Sequence, residues 1–429
     1  LLGNRSQANQ VAELGKEIEQ LNAELRTTQA EIRSTSPRYA ALTQTQPLTL
    51  GEIQKQVLNP WSVLLEYSLG EERSYLWLVS HNSIRSFTLP KRSVIEAAAK
   101  RFYDAATARN QFVPRESAQQ KLDRIAAADA ESQKAAAALS RMILAPALPL
   151  LSNKRLIVVA DGALQYVPFQ ALPLNPQSAV LYPQSAKPLV SRHEIVSLPS
   201  ATTLSVLRTE TAHQPKAAKT IAVIADPVFE ANDDRVKIVT IKADDTTTKK
   251  KDDQGAVTAE SDPSRILLVK SAKDSGGADA GFRIPRLPNT RRESYAILSL
   301  TNPESSHATF DFAANRAAAT SDDLSQYRIL HFATHGFLNS LNPELSGLVM
   351  SLVDDQGKAQ NGYLLAPELY NLKLPATELV VLSACQTGLG KEIRGEGIVG
   401  LTRGFMYAGS PRVVVSLWNV NDRATAELM

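Results

Sequence analysis

The spacing of apolar positions changes twice along the chain. Over residues 8–34, Val11, Leu14, Ile18, Leu21, Leu25, Thr28 and Ile32 recur at alternating steps of three and four, with Glu, Lys, Gln and Arg between them. That spacing predicts a helix with one apolar seam of about three heptads, closed by Pro37. Such a helix docks on its own domain, links to a region upstream, or forms a dimer seam. From Trp61 the period falls to two in Val63–Leu69, Ser74–Ser80 and Ser83–Leu89, separated by Gly70-Glu-Glu-Arg73 and His81-Asn82. Short turns between alternating runs predict antiparallel strands. Two Ala-rich helical stretches follow, at about 92–109 and 116–144.

Beyond them the runs become continuous rather than alternating. Leu156–Ala160 ends in Asp161-Gly162, and Ile221–Ala225 ends in Asp226-Pro227. Arg328–Ala333, Leu379–Ala384 and Arg412–Leu417 read as further strands, with helical segments at about 289–301, 365–370 and 398–408. Continuous apolar strands alternating with helices predict an α/β fold with a mostly parallel sheet covered on both faces. Residues 231–280 interrupt this order with Thr246-Thr-Thr-Lys-Lys-Lys-Asp-Asp253 and, at the far edge, Ser275-Gly-Gly-Ala-Asp-Ala-Gly281. They read as a long, mostly disordered insertion. The divisions expected are a helical linker over 1–59, a strand-and-helix part over 60–150, and the α/β core over 151–429. The start at Leu1 and the end at Met429 inside a helical pattern point to a fragment.

Composition narrows the classes. The 429 residues are 43% hydrophobic, enough for a sizeable core. Net charge is +3, from 47 basic and 44 acidic residues, too balanced for a nucleic-acid binder. The single cysteine excludes an intrachain disulfide. No stretch reaches the roughly 18 apolar residues of a membrane span, and Leu-Leu-Gly-Asn-Arg-Ser at the start is no secretory leader. A cytoplasmic location is the default expectation.

That one cysteine, Cys385, closes the run Glu378-Leu-Val-Val-Leu-Ser-Ala-Cys385 and is followed by Gln-Thr-Gly388. A cysteine on an apolar strand is ordinarily a small core residue. At a strand end before a loop it can instead be a nucleophile, its thiolate favoured by an imidazolium or by a helix N-terminus. The base is expected in Tyr327-Arg-Ile-Leu-His331-Phe-Ala-Thr-His335-Gly336, where His335 closes the strand and His331 lies deeper as a structural, hydrogen-bonding histidine. Backbone N–H groups at Gly336 and Cys385 are candidate donors to an oxyanion. A zinc site at His331 and His335 lacks the following Glu, a nearby Cys and the helix it would require, so no metal and no other cofactor is expected. Gly395-Glu-Gly397-Ile-Val-Gly400 matches a dinucleotide fingerprint but starts well after its strand, which favours a loop and close helix packing. Asp422 reads either as an N-cap for the helix starting at Arg423 or as a carboxylate selecting a basic side chain.

Taken together, His331-Phe-Ala-Thr-His-Gly336, Leu382-Ser-Ala-Cys-Gln-Thr-Gly388, Gly395–Phe405 and Ser416-Leu-Trp-Asn-Val-Asn-Asp422 resemble the CHAT peptidases. This caspase-like family is commonly joined to tetratricopeptide repeats and grouped in clan CD with caspases, gingipains and separases. Asp161–Phe169 and Leu287-Pro-Asn-Thr-Arg-Arg-Glu293 match more loosely. The resemblance implies a three-layer α/β/α sandwich of caspase–haemoglobinase type, with Cys385 as nucleophile, His335 as general base and Gly336 aiding the oxyanion. Similarity to separases places Asp422 near the pocket for the residue before the cut, favouring Arg or Lys. An upstream tetratricopeptide region, joined through 8–34, is the implied route for a regulatory protein partner. The expected activity is cysteine endopeptidase cleavage of a protein or peptide, with no nucleic-acid or membrane contact. Lys249-Lys-Lys251 in the insertion would then be an accessible site for self-cleavage. The rival reading is a catalytically silent caspase-like scaffold for protein binding.

Overall fold

The computed structural model describes Thr27 and residues 47–111, 113–181, 186–212, 214–237, 267–270, 283–337, 339, 345–384, 391–393, 397–399, 401–418 and 420–429. Leu1–Leu48 and Thr49–Met429 form separate units, and the sheets and the candidate site belong to the second. The predicted helix over 8–34 lies outside the described residues apart from Thr27, which is helical.

The first sheet begins with β1 (Ser62–Ser68), β2 (Ser74–Ser80) and β3 (Ser83–Leu89), paired antiparallel as their short turns demand. Helix α1 (Arg92–Ala108) lays Ile95, Ala99 and Phe102 on this sheet, a one-sided apolar stripe. Helix α2 (Ala118–Ile143) opens at a capping box in which Ser117 and Gln120 satisfy each other's backbone N–H groups. It buries Leu139 and Ile143 in the same cluster as Val63, Leu65, Tyr67, Leu76 and Phe169. Two more strands, β4 (Arg155–Val159) and β5 (Ile195–Leu198), extend the sheet in parallel, giving the order β3-β2-β1-β4-β5. The apolar run at Leu156 thus belongs with the antiparallel strands, not with the later parallel core. An apolar run reports burial on both faces and does not choose its hydrogen-bonding partner.

After α3 (Ala201–Thr211) comes the second sheet, entirely parallel: β6 (Lys219–Pro227), β7 (Ser306–Asp311), β8 (Tyr327–Ala333), β12 (Leu379–Ser383) and β15 (Val413–Val415), in the order β15-β12-β8-β6-β7. On one face Val223, Ala225 and Ala333 meet Ile297 and Leu298 of α4 (Asn289–Ser299). On the other, Ile224, Leu330, Phe332 and Leu382 meet Leu401 and Phe405 of α5 (Leu401–Ala408). Alternation of side chains along each strand feeds both layers, making an α/β/α arrangement. A small antiparallel sheet of β9 (His335–Phe337), β10 (Gly347–Val349) and β11 (Tyr363–Leu365) grows from the end of β8. Helix α6 (Asp422–Leu428) closes the described chain.

Two segments of the 231–280 stretch are packed rather than free. Arg235 enters an ion network around Asp226, and Leu268 is buried with Phe229, Ile284 and Val349. The Thr246–Asp253 and Ser275–Gly281 runs, with Lys249–Lys251, lie outside the described residues. In the Gly395–Gly400 stretch, β14 (Gly397–Val399) pairs with β13 (Lys391–Ile393) as a two-stranded ladder, and the helix begins only at Leu401. A dinucleotide fingerprint needs those glycines at the turn into a helix, so this ladder does not supply its geometry.

Gly409 ends α5 with φ +135°, and a Cβ there would sit 2.4 Å from the Leu374 carbonyl oxygen. Gly409→Ala should therefore cost about 1–3 kcal/mol, from a backbone conformation that side chains rarely adopt plus this clash. Urea unfolding should show a lower midpoint with an unchanged slope.

Candidate active site

The C-terminal edge of the parallel sheet leads into the candidate residue His335. Strand β8 runs out at Ala333, and Thr334, fully buried, donates its hydroxyl to the Val349 carbonyl. That bond turns the chain out of the parallel sheet and into β9, so His335 starts a second strand rather than closing the first. His335 is partly buried, and its Nε2–H donates to the Pro285 carbonyl at 2.7 Å. Its ring stands edge-on to Phe229 with centroids 5.2 Å apart. A carbonyl only accepts, so the neutral ring carries its proton on Nε2 and keeps its lone pair on Nδ1. Burial pushes the His335 pKa below its ordinary value, opposed by the Pro285 bond and by the negative charge of Asp422. At neutral pH this is an uncharged imidazole, able to take a proton at Nδ1.

The Pro285 carbonyl is a site element that sequence reading missed, because a backbone oxygen has no residue-type signature. It lies on a cleft of about 490 Å³ lined by Phe229, Glu230, Arg283, Ile284, Pro285 and Arg286. Below the cleft, Asp226 leaves β6 at a bulge with φ +49°, its side chain fully buried. Arg286 grips both carboxylate oxygens, at 2.9 and 2.7 Å, and Arg291 adds a bond at 2.8 Å. Arg235 and Arg291 also both reach Asp311, which ends β7 with φ +53°. Burial opposes the Arg235 and Arg291 charges, but bonds to Asp233 and Asp311 for Arg235, and to Asp226 and Asp311 for Arg291, outweigh it and raise both pKa values. The same contacts hold Asp311 below the usual carboxylate range despite its burial.

Cys385 lies outside the described residues, and so do any contacts it makes. The strand leading to it is described to its end. Ser383 pairs with Ala333 and Ser416 donates to the Ala384 carbonyl. Each of the two adjacent strands therefore reaches its last paired residue two positions before its candidate residue, His335 or Cys385. Gly336 is buried in β9 opposite Leu348. Deeper in β8, His331 bonds Glu293 of α4 through Nε2 at 2.6 Å, both side chains almost completely buried. That is the structural role expected of it, and it explains part of the Leu287–Glu293 motif. Asp422 does not cap its own helix, since Asn421 accepts from Ala424 N. Instead, Asp422 Oδ2 accepts from Asn289 N at 3.1 Å and from Asn289 Nδ2 at 2.8 Å, capping α4 from outside. Among the described residues no group of three or more His, Cys, Asp and Glu is placed to hold a metal ion. No described helix is long and apolar enough to cross a membrane.

Residues 133–429 match the CHAT domain family. This is well over half of the chain, which therefore belongs to the CHAT domain family. No curated protein sequence is close enough to match it. Among solved structures it is similar to the Saccharomyces cerevisiae separase–securin complex, at 9% identity and a TM-score of 0.49. That superposition covers 88% of this chain and 27% of the other, so this chain spans little more than a quarter of that one.

Because burial disfavours its charged form, His335 binds fewer protons folded than unfolded just below pH 6.5. Its contribution to stability is present above pH 6.5 and is lost as pH falls toward the folded pKa. Histidine-selective NMR titration should give His335 a midpoint below 6.5. Asp422→Asn removes a charge that favours the imidazolium and should lower that midpoint further. An unchanged or raised midpoint would show that the two groups do not interact.

Proposed function

We propose that the chain is a cysteine endopeptidase in which Cys385 is the nucleophile and His335 the general base. The observation that carries this reading is the state of His335: a neutral imidazole whose Nε2–H is committed to the carbonyl of Pro285, a cleft-wall residue, so that Nδ1 is the accepting nitrogen. The strand register supports the partnership, since β8 and β12 end level. Family membership supports the protease class.

The steps follow from these groups. The Cys385 thiol passes its proton to Nδ1 of His335, and the thiolate attacks the peptide carbonyl carbon. Negative charge gathers on the carbonyl oxygen, where the backbone N–H groups of Gly336 and Cys385 serve as donors; losing one such donor typically costs about 10²–10³ in rate. His335 returns the proton to the departing amine as the C–N bond breaks, leaving an acyl thioester. Water, deprotonated by His335, attacks the thioester and releases the acid and the thiol. Asp422 selects Arg or Lys before the cut, using Oδ1 while Oδ2 stays with Asn289. An upstream tetratricopeptide region gates the enzyme by reordering the loop after Cys385 when a protein partner binds.

Peptide-library cleavage with mass-spectrometric mapping tests this. Cys385→Ala should abolish every cut while leaving the fold intact, and proteolysis surviving in that variant refutes the assignment. Asp422→Ala should lower cleavage after Arg and Lys by more than tenfold while sparing other positions. An equal loss everywhere would reduce Asp422 to a helix cap.

A further inference from the structure

The imidazole of His335 takes its orientation from a backbone carbonyl, so whatever fixes that carbonyl fixes the base. Pro285 has no N–H of its own to anchor it and is exposed to solvent. The chain is gripped instead by its two neighbours. The Ile284 side chain is buried with Phe229 and Leu268. On the other side, the Arg286 guanidinium spans both oxygens of Asp226 in a two-bond fork at 2.9 and 2.7 Å. A planar fork on a planar carboxylate sets direction as well as distance, which a single bond does not. Among the described residues Arg235 divides itself between Asp226, Asp233 and Asp311, and Arg291 between Asp226 and Asp311, while Arg286 is given to Asp226 alone.

Asp226 is itself prepared for this task. It stands at a bulge where β6 leaves its register with β7, in a left-handed backbone conformation uncommon for a residue with a side chain. Bulges of this kind re-aim a side chain, and this one sends a carboxylate into the interior to meet three guanidinium groups. The neighbouring strand ends in the same left-handed backbone conformation at Asp311.

We propose that Arg286 and Asp226 are positioning residues for His335, acting through the Pro285 carbonyl. This rests on the proposed role of His335 as base. Neither residue is within hydrogen-bonding distance of His335; they hold the acceptor that keeps the His335 proton on Nε2 and the lone pair on Nδ1. With the fork broken, Pro285 swings free and part of the population adopts the opposite tautomer. That form has its proton on Nδ1 and cannot accept the thiol proton there.

The test uses the full chain with ¹⁵N-labelled histidine, the His335 signals being assigned by their loss in His335→Gln. Wild type should show a protonated Nε2 and an unprotonated Nδ1. Arg286→Gln leaves Asp226 paired with two other arginines, so it should fold. It should give averaged tautomer signals at His335 and a kcat lower on the order of tenfold to a hundredfold, with KM little changed. Asp226→Asn should move both readouts the same way. Arg316→Gln breaks a partly buried pair with Glu368, between two short helices, and should leave the His335 signals as in wild type. A folded Arg286→Gln protein with the wild-type tautomer pattern overturns the proposal, and so does an equal disturbance from Arg316→Gln. The NMR pattern is read whether or not peptide is cleaved, so failure of the protease reading and failure of the clamp remain distinguishable.

Discussion

A carboxylate sealed from water must be neutralised where it sits, and much of the site edge is arranged around that requirement at Asp226. The effective penalty for burying one ion is several kcal/mol, recovered only with close, well-directed partners. Arg235, Arg286 and Arg291 supply them, and each arrives from a different part of the chain: just after β6, just before α4, and inside α4. The carboxylate is thus a junction that ties the end of a strand, a cleft wall and a helix together. The cleft wall it ties carries the His335 acceptor. Removing the carboxylate would take from Arg286 its carboxylate partner, while Arg235 keeps Asp233 and Asp311 and Arg291 keeps Asp311.

The same sheet edge separates two histidines that the sequence places four apart. His331 points to the α4 side and is closed off by Glu293. His335, beyond the turn at Thr334, bonds instead to the Pro285 carbonyl on a cleft wall. Their difference is one of surroundings rather than of residue type. One is locked to a buried carboxylate, the other to an exposed backbone oxygen that makes its second nitrogen the accepting one.

Much of this was legible from periodicity. The alternating runs at 63–89 gave the antiparallel strands, and the continuous runs at 221–225, 328–333 and 379–384 gave the parallel ones with both faces covered. What stayed hidden depends on pairing between distant residues. The allegiance of β4 to the first sheet is a choice of partner, invisible in Leu156–Val159 itself. Strands β9 to β11 are three residues each, too short for a period to register. The Leu287–Glu293 motif could be noticed but not explained, since Arg291 finds its carboxylates at 226 and 311 and Glu293 finds its histidine at 331. Asp422 was legible as a carboxylate with a cap or pocket role, but not as the cap of a helix 133 residues away.

Arg235 stands near the start of the 231–280 stretch and Arg286 just past its end, and both close on one carboxylate. The two feet of that stretch are therefore fastened at the same point. Closing such a loop costs only about 0.6 kcal/mol more for each doubling of its length, so evolution can lengthen or rewrite it at little thermodynamic penalty. A backbone break between the two feet would also release neither of them. The molecule would continue as two chains joined by charge and by the shared core, with the strand that ends at Asp226 and the residues around Pro285 still held against each other.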